Sequence, residues 1–450
     1  MKKQVQIIIV TIFFGINILL PQQSNAQWIE LGGLNGLYAN DEIWTICSGK
    51  NGNVYAAGSF LNANLHRYVA KWNGNTWSEL GGLDGLAANE PILTVASDGS
   101  GNIYAGGNFY NLNLNSYVAK WNGSNWSELG GVNSLAANSW IESICSDASG
   151  NIYAAGQFFN TSGKCYVAKW NGNNWSELGG LNSLAANNLI KSICSDASGN
   201  IYAAGDFTNT SGKRYVAKWN GSTWSELGGS NSLAANDLIY SVCSDVTGKI
   251  YVGGKFTNSN GKSYIARYNG TTWNELGGVN SLHANVFITS ICTISNGNVY
   301  CAGAFSNTNS WQYVAKWDGN SWSELGGNNS LHAMGYINTL CKDTSGNIYS
   351  AGSFKNADFH YYVAKYHDPT DVDEIPTTSI SFSPNPTTGI INIKGITQPS
   401  VAVYNLMGQK VVAAQGSNEV SLANLPAGLY MVQVFSKDME LVKSEKVVKE

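Results

Sequence analysis

Charge is scarce in this sequence: Asp, Glu, Lys and Arg make up only 12% of its 450 residues, too few to clothe the outer faces of many long amphipathic helices. Proline is nearly missing, at 8 residues, whereas glycine numbers 50; that balance suits short strands joined by tight turns. No run of Lys or Arg stands in the body of the chain and the formal net charge is −4, so the footprint that a nucleic-acid backbone demands is absent. Past residue 20 no stretch approaches the ~20 apolar residues of a membrane-spanning helix. A nucleophile elbow, a phosphate loop, zinc-ligand spacing and an EF-hand pattern are all missing as well. What is plentiful is apolar surface, 43% hydrophobic and 12% aromatic, enough for a sizeable core and two domains.

Residues 1–26 read as an export signal. Lys2 and Lys3 precede an apolar stretch from Val5 to Leu20, and Ser24-Asn25-Ala26 offers small residues for cleavage before Gln27.

Trp28, Trp77, Trp126, Trp175, Trp224, Trp273 and Trp322 each open a W-x-E-L-G-G segment, at intervals of 49 residues throughout. One unit runs from Trp175 through Leu189–Ser195 and Ile201–Gly205 to Tyr215–Trp219. It holds four short strands bounded by Gly, Asn, Asp or Ser, with no 3.6-residue periodicity. Four strands at this period are propeller blades. The array begins with an outer strand and ends, at 361–366, with the strand that should precede it. The sequence therefore predicts an all-β, seven-bladed propeller over 27–367 whose N-terminal strand completes the last blade and so hides an open edge. The Ile-Tyr-Ala-Ala-Gly strand with Tyr-Val-Ala-Lys-Trp-Asn-Gly and Trp-Ser-Glu-Leu resembles kelch-type propeller repeats, a likeness that implies architecture and no chemistry.

An acidic, proline-bearing stretch at 368–378 reads as a linker. Ser383-Pro-Asn-Pro-Thr-Thr-Gly389, Val401–Val411 and Leu425–Val434 then alternate as strands and turns, which predicts a small immunoglobulin-like β-sandwich over 379–450. The N-P-x-x-G start, the Y-x-x-x-G-Q segment and L-x-x-G-x-Y resemble the type A C-terminal sorting domain of the type IX secretion system of Bacteroidota. That resemblance implies passage through the periplasm and outer membrane to the cell surface or beyond, with the secretion machinery as a partner.

Most chemically capable residues have a structural explanation. Cys47, Cys145, Cys194, Cys243, Cys292 and Cys341 share one repeat position, filled by Ala96 in the remaining copy; sheets packed ~10 Å apart put them beyond mutual bridging. Cys292 and Cys301 flank a hairpin turn and are a candidate disulfide. His66 with His360, and His283 with His332, fall in equivalent positions of neighbouring blades, too far apart to share a metal ion. Asp98, Asp147, Asp196, Asp245 and Asp343 open hairpin turns. Glu30, Glu79, Glu128, Glu177, Glu226, Glu275 and Glu324 recur in every blade, unlike a catalytic pair. No metal or cofactor is expected.

The two long connections of each blade should emerge at one end, where the copies diverge. Trp44, Leu93, Glu142, Lys191, Tyr240, Thr289 and Asn338 form one variable column; Arg67, Ser116, Cys165, Arg214, Ser263, Gln312 and Tyr361 form a second. Trp44, Trp140 and Trp311 fall outside both the W-x-E-L-G-G register and the one at the end of the third strand (Trp72, Trp121, Trp170, Trp219 and Trp317) and are candidates for ligand stacking. Lys191, Arg67 and Arg214 would pair with acidic groups; Glu142 and Tyr240 complete the candidate face. The expected function is an exported, monomeric binding protein whose loop face grips a glycan or a protein. A secreted polysaccharide hydrolase or lyase, using Glu142 or Glu90, and a purely structural or adhesive surface protein are the alternatives.

Overall fold

The computed structural model describes residues 27–33, 36–367, 381–394, 399–405, 408–435 and 441–450; the expected signal at 1–26 and the linker at 368–378 lie outside them. Contacts divide the chain after Asp368 into two units. The first is a ring of seven four-stranded antiparallel sheets. In the fourth blade strand A is Ile190–Ser195, B is Ile201–Gly205, C is Ala217–Trp219 and D is Trp224–Glu226. The A strands of blades one to three are Ile43–Ser48, Ile92–Ser97 and Ile141–Ser146; those of five to seven are Ile239–Ser244, Ile288–Thr293 and Ile337–Lys342.

The alternation of side chains explains why a blade needs both faces apolar. Strand B of every blade is buried along its whole length, because each sheet is covered by a neighbour on either side. One cluster joins Tyr153 and Ala155 of the third blade to Ile190, Ile193 and Phe207 of the fourth. Phe207 and its six equivalents are the largest fully buried side chains, and Phe207 meets Tyr215 edge-on at 4.9 Å. The glycine closing strand B has a steric cause: a Cβ on Gly205 would lie 2.2 Å from the Leu189 carbonyl oxygen.

Ring closure occurs as the phase of the repeat predicts. Gln27–Glu30 pairs antiparallel with Ala364–His367, Trp28 opposite Tyr366, and completes the seventh sheet. Three further sets of bonds run round the ring without a gap. Strand A is an edge strand, so its outer backbone groups need partners. The hydroxyls of Thr45, Thr94, Ser143, Ser192, Ser241, Ser290 and Thr339 each accept the backbone N–H of the next blade, the last from Ile46 at 3.3 Å. One turn further, Ser97, Ser146, Ser195, Ser244 and Thr293 donate to the preceding blade's carbonyl; the Lys342 ammonium replaces the hydroxyl in the seventh blade, and Ser48 returns the bond to the Lys342 carbonyl. At the perimeter each strand-D indole donates to a leucine carbonyl of the preceding blade, from Trp77 to Leu31 at 2.9 Å round to Trp28 and Leu325 at 3.2 Å.

The A–B turns are built on the repeated aspartate. The Asp196 carboxylate accepts the N–H groups of Ser198 and Asn200, the Asn200 amide and the Tyr202 hydroxyl at 2.7–2.9 Å. Partial burial alone would raise the carboxyl pKa, but these hydrogen bonds outweigh it, and Asp98, Asp147, Asp196 and Asp245 all end below the ordinary carboxylate value.

The second unit is a two-sheet sandwich. Ser381–Ser383, Ile390–Lys394 and Glu419–Ser421 form one sheet; Ser400–Tyr404, Lys410–Gln415, Gly428–Phe435 and Leu441–Lys449 form the other. Ile391, Ile393, Val403, Val432, Val434 and Val447 fill the space between. Its C-terminal strand is covered at its outer edge by Asn385, whose side chain bonds Lys446 and Val448.

Two measurements check this account. Deleting 27–33 removes the outer strand of blade seven and the Trp28 and Trp77 perimeter bonds together, so the melting temperature should fall by several degrees; an unchanged melt contradicts closure. The depressed aspartates contribute stability that is present above the unfolded carboxylate pKa of about 3.9 and is lost as pH falls through their lower folded values. Thermal stability should therefore decline steeply only below about pH 4, and replacing Asp98, Asp147, Asp196 and Asp245 by Asn should flatten that decline while lowering stability at pH 7.

Candidate binding face

The connection entering strand A and the one joining B to C leave each blade at the same end. They are stapled to one another: the Arg67 backbone exchanges two hydrogen bonds, 2.9 and 3.0 Å, with Ala88 of the connection entering blade two, and Tyr361 does the same with Ala39 across the seam. Because main chain alone makes this staple, the side chains of the Arg67 column are free to differ. The Trp44 column diverges for a related reason. In every blade the A–B ladder slips at that residue, as between Ile190 and Ser192 in blade four; the position is a β-bulge that turns a side chain out of the ladder.

Bulged and neighbouring side chains divide the channel mouth into two arcs. On blades three and four the Lys191 ammonium lies 2.6 Å from the Glu142 carboxylate, whose side chain is only 7% exposed. Arg214 sends Nε and Nη2 to Asp206, both at 2.8 Å, and Nη1 to the Asn236 carbonyl. Arg67 reaches the Asn89 carbonyl at 2.7 Å. The three cations expected to meet an acidic ligand are thus turned onto their own chain.

Blades five to seven carry aromatic rings instead. Tyr240 lies 5.5 Å from Phe287, and Phe287 5.6 Å from Tyr336. Burial, then the carboxylates of Asp237 and Asp206, push the Tyr240 hydroxyl pKa upward, so it stays a neutral donor. Tyr336, Trp140 and Trp44 are 50%, 46% and 40% exposed, the last with its indole N–H on the Ser59 hydroxyl. Phe287 and Tyr336 were not singled out in the sequence, although they occupy Trp140's column, immediately before the strand-A isoleucine. Trp311 stands apart from this group, on a B–C loop, edge-on to His332 at 5.3 Å.

Several other candidates resolve into structure. Cys292 opposes Tyr300 and Cys301 opposes Ile291; their side chains leave opposite faces of the sheet, one packing toward blade seven and the other toward blade five. The cross-hairpin disulfide expected from spacing is not formed, and both thiols are free. The six repeated cysteines place their thiols in the packed interfaces, where burial raises their pKa, to about 12 for Cys47 and Cys292. The recurrent glutamates pin loops: Glu226 accepts the Asn209 amide at 3.0 Å and the Asn231 backbone N–H at 2.7 Å. Among the described residues no group of three His, Cys, Asp or Glu is placed to hold a metal, and no helix is long and apolar enough to cross a membrane.

Comparison with known proteins supports the architecture and the export route. Residues 381–450 match the secretion system C-terminal sorting domain family, and residues 247–271 match a β-propeller domain of unknown function. The sorting domain marks export by the type IX secretion system to the cell surface or the outside. None of the curated proteins matches the chain at a significant level. Two solved extracellular domains from B. thetaiotaomicron share the fold. One, assigned to a hybrid two component system, is 12% identical with a TM-score of 0.51; the other, assigned to a one component system, is 11% identical with a TM-score of 0.50. Each alignment covers 94% of this chain but only 57% and 58% of theirs, so the chain spans little more than half the length of these relatives.

Two outcomes test the site geometry. Lys191→Met leaves the Glu142 carboxylate buried without its partner and should cost about 1–3 kcal/mol of stability, most of it recovered by adding Glu142→Gln. A thiol reagent should leave the folded protein unmodified and label all eight cysteines once it is denatured; a pair that stays unlabelled after denaturation contradicts the free thiols.

Proposed function

We propose that this exported propeller is a binding module that recognises a glycan through the mouth of its loop face. The observation that carries the reading is the contiguous arc of Tyr240, Phe287 and Tyr336, continued on the neighbouring first blade by Trp44, with Trp140 exposed at the equivalent of Phe287 and Tyr336 on blade three. Exposed aromatic faces on a rigid scaffold suit the apolar faces of pyranose rings, and nearby amides and hydroxyls suit their hydroxyl groups. With Lys191 and Arg214 already ion-paired, the mouth favours stacking over capture of charge. A protein ligand is the second occupant this face could take. Polysaccharide hydrolysis or elimination is the rival reading, with Glu142 or Glu90 as its acid; Glu142 speaks against it, being almost fully buried and neutralised by Lys191. The C-terminal domain supplies the contact with the secretion machinery.

A glycan array followed by calorimetric titration tests the reading. Tyr336→Ala and Trp140→Ala are each expected to weaken binding by about tenfold while the melting temperature stays constant. Unchanged binding in both variants overturns the placement, and turnover of any polysaccharide in the panel overturns it in favour of an enzyme.

A further inference from the structure

The repeat contains its own control experiment at the tip of each B–C loop. The tip residue has a left-handed backbone in every blade, with φ of +69°, +69° and +70° at Gly163, Gly212 and Gly261 in blades three, four and five. Glycine is the residue that this conformation favours. In the three consecutive blades that straddle the seam the same position holds Phe359, Leu65 and Leu114, at φ of +63°, +64° and +62°. These large apolar side chains are 81%, 73% and 74% exposed. Each therefore carries a left-handed backbone, held by its own N–H on the asparagine three residues earlier, together with hydration of a large apolar group. Leu112, 102% exposed, adds to the same sector, whereas Leu83 and Val132, 62% and 75% exposed, belong to an apolar column that continues round the ring as Leu181 and Val279, both 66% exposed.

The other side of the ring is complementary. Directly after the tip glycine, blades three, four and five carry Lys164, Lys213 and Lys262; the one acidic residue of these three loops, Asp206, is ion-paired with Arg214. The tips lie at the perimeter of the loop face: Asn62 and Asn209, which open two of them, bond Glu79 and Glu226 on the outer strands. Equivalent positions in a ring of like blades stand at equal height above it, so one flat surface meets the apolar and the cationic tips together.

We propose that this rim docks the protein onto the surface of an anionic lipid membrane, with Phe359, Leu65, Leu112 and Leu114 entering the headgroup boundary and Lys164, Lys213 and Lys262 facing lipid phosphates. Protruding knobs on separate loops make no groove for a folded partner, whereas a fluid interface receives them singly. Acidic headgroups attract lysines held near them. Export to the cell surface puts the protein where such a surface exists. The proposal is independent of the glycan reading, whose residues lie at the channel mouth.

The test is co-sedimentation of the full mature chain with vesicles of phosphatidylcholine alone or with about one-third phosphatidylglycerol. Binding to the anionic vesicles is expected, reduced by added salt. Changing Leu65, Leu114 and Phe359 together to Gly, the residue already used by the sister blades, should lower the partition coefficient at least about tenfold while the melting temperature holds or rises. Changing Lys164, Lys213 and Lys262 to Gln should remove the preference for anionic lipid. Absence of binding to either vesicle, or full binding by the glycine variant, overturns the proposal; so does equal binding to both vesicle types. Binding that free anionic polysaccharide abolishes at constant ionic strength would instead assign the rim to a polymer and also overturn it.

Discussion

The pairing of Gln27–Glu30 with Ala364–His367 is the constraint on which the rest of this molecule depends. A blade cannot bury strand B unless another blade lies on each of its faces, so an open array would leave two terminal sheets half-hydrated. Joining the ends of the array converts a row into a ring in which every sheet has two neighbours. The cost is a contact between residues more than three hundred positions apart, with the ordering entropy that such a long loop implies. The offsetting gain is distributed, because strand A, strand D and the B–C loops each continue their own circle of bonds across the seam.

That distribution accounts for which positions vary among the seven copies. Bonds between blades use main chain wherever possible, or a short hydroxyl or indole that the copies retain, the Lys342 ammonium standing in once for a hydroxyl. Where main chain does the holding, as at Arg67 or Tyr361, side chains are released for other purposes. Where the ladder bulges, as at Trp44 or Lys191, they are released and also aimed into the channel mouth. The candidate face is thus a consequence of how the scaffold is bonded, with Tyr240 and Lys191 as two fillings of the bulge position and Phe287, Tyr336 and Arg214 added from the columns beside it. Blade seven adds a local departure: Met334 stands where Asn40 and its equivalents bond the neighbouring loop, and Tyr336 is the most exposed ring of the arc.

Legibility from sequence followed the same division. The strand content, the blade count and the clasp were readable because a fixed 49-residue interval and its phase need no side-chain geometry. The turn aspartates and the repeated glutamates were readable as structural because local hydrogen bonding at fixed short spacing explains them. Phe287 and Tyr336 were missed because neither matches a motif; only the proximity of three blades makes a stack of them. Cys292 and Cys301 misled because closeness along a hairpin does not say which face a side chain leaves by, and a register offset of one residue decides it. Lys191 read as a free cation because its carboxylate partner lies on another blade, and Arg214 because only the folding of its own loop brings Asp206, eight residues away, back to it.

By itself, the sequence determined the periodic facts: an all-β chain, seven equal units, a completing strand at the N-terminus and a C-terminal sorting domain. These depend on spacing and on alternation along one chain, which the order of residues contains directly. The tertiary structure alone decided which charges are already neutralised, which thiols face which sheet, and which apolar side chains remain in water. Those depend on how loops fold back and how blades stand against one another, from the eight positions between Asp206 and Arg214 to the 49 between Glu142 and Lys191, and spacing along the chain does not specify either.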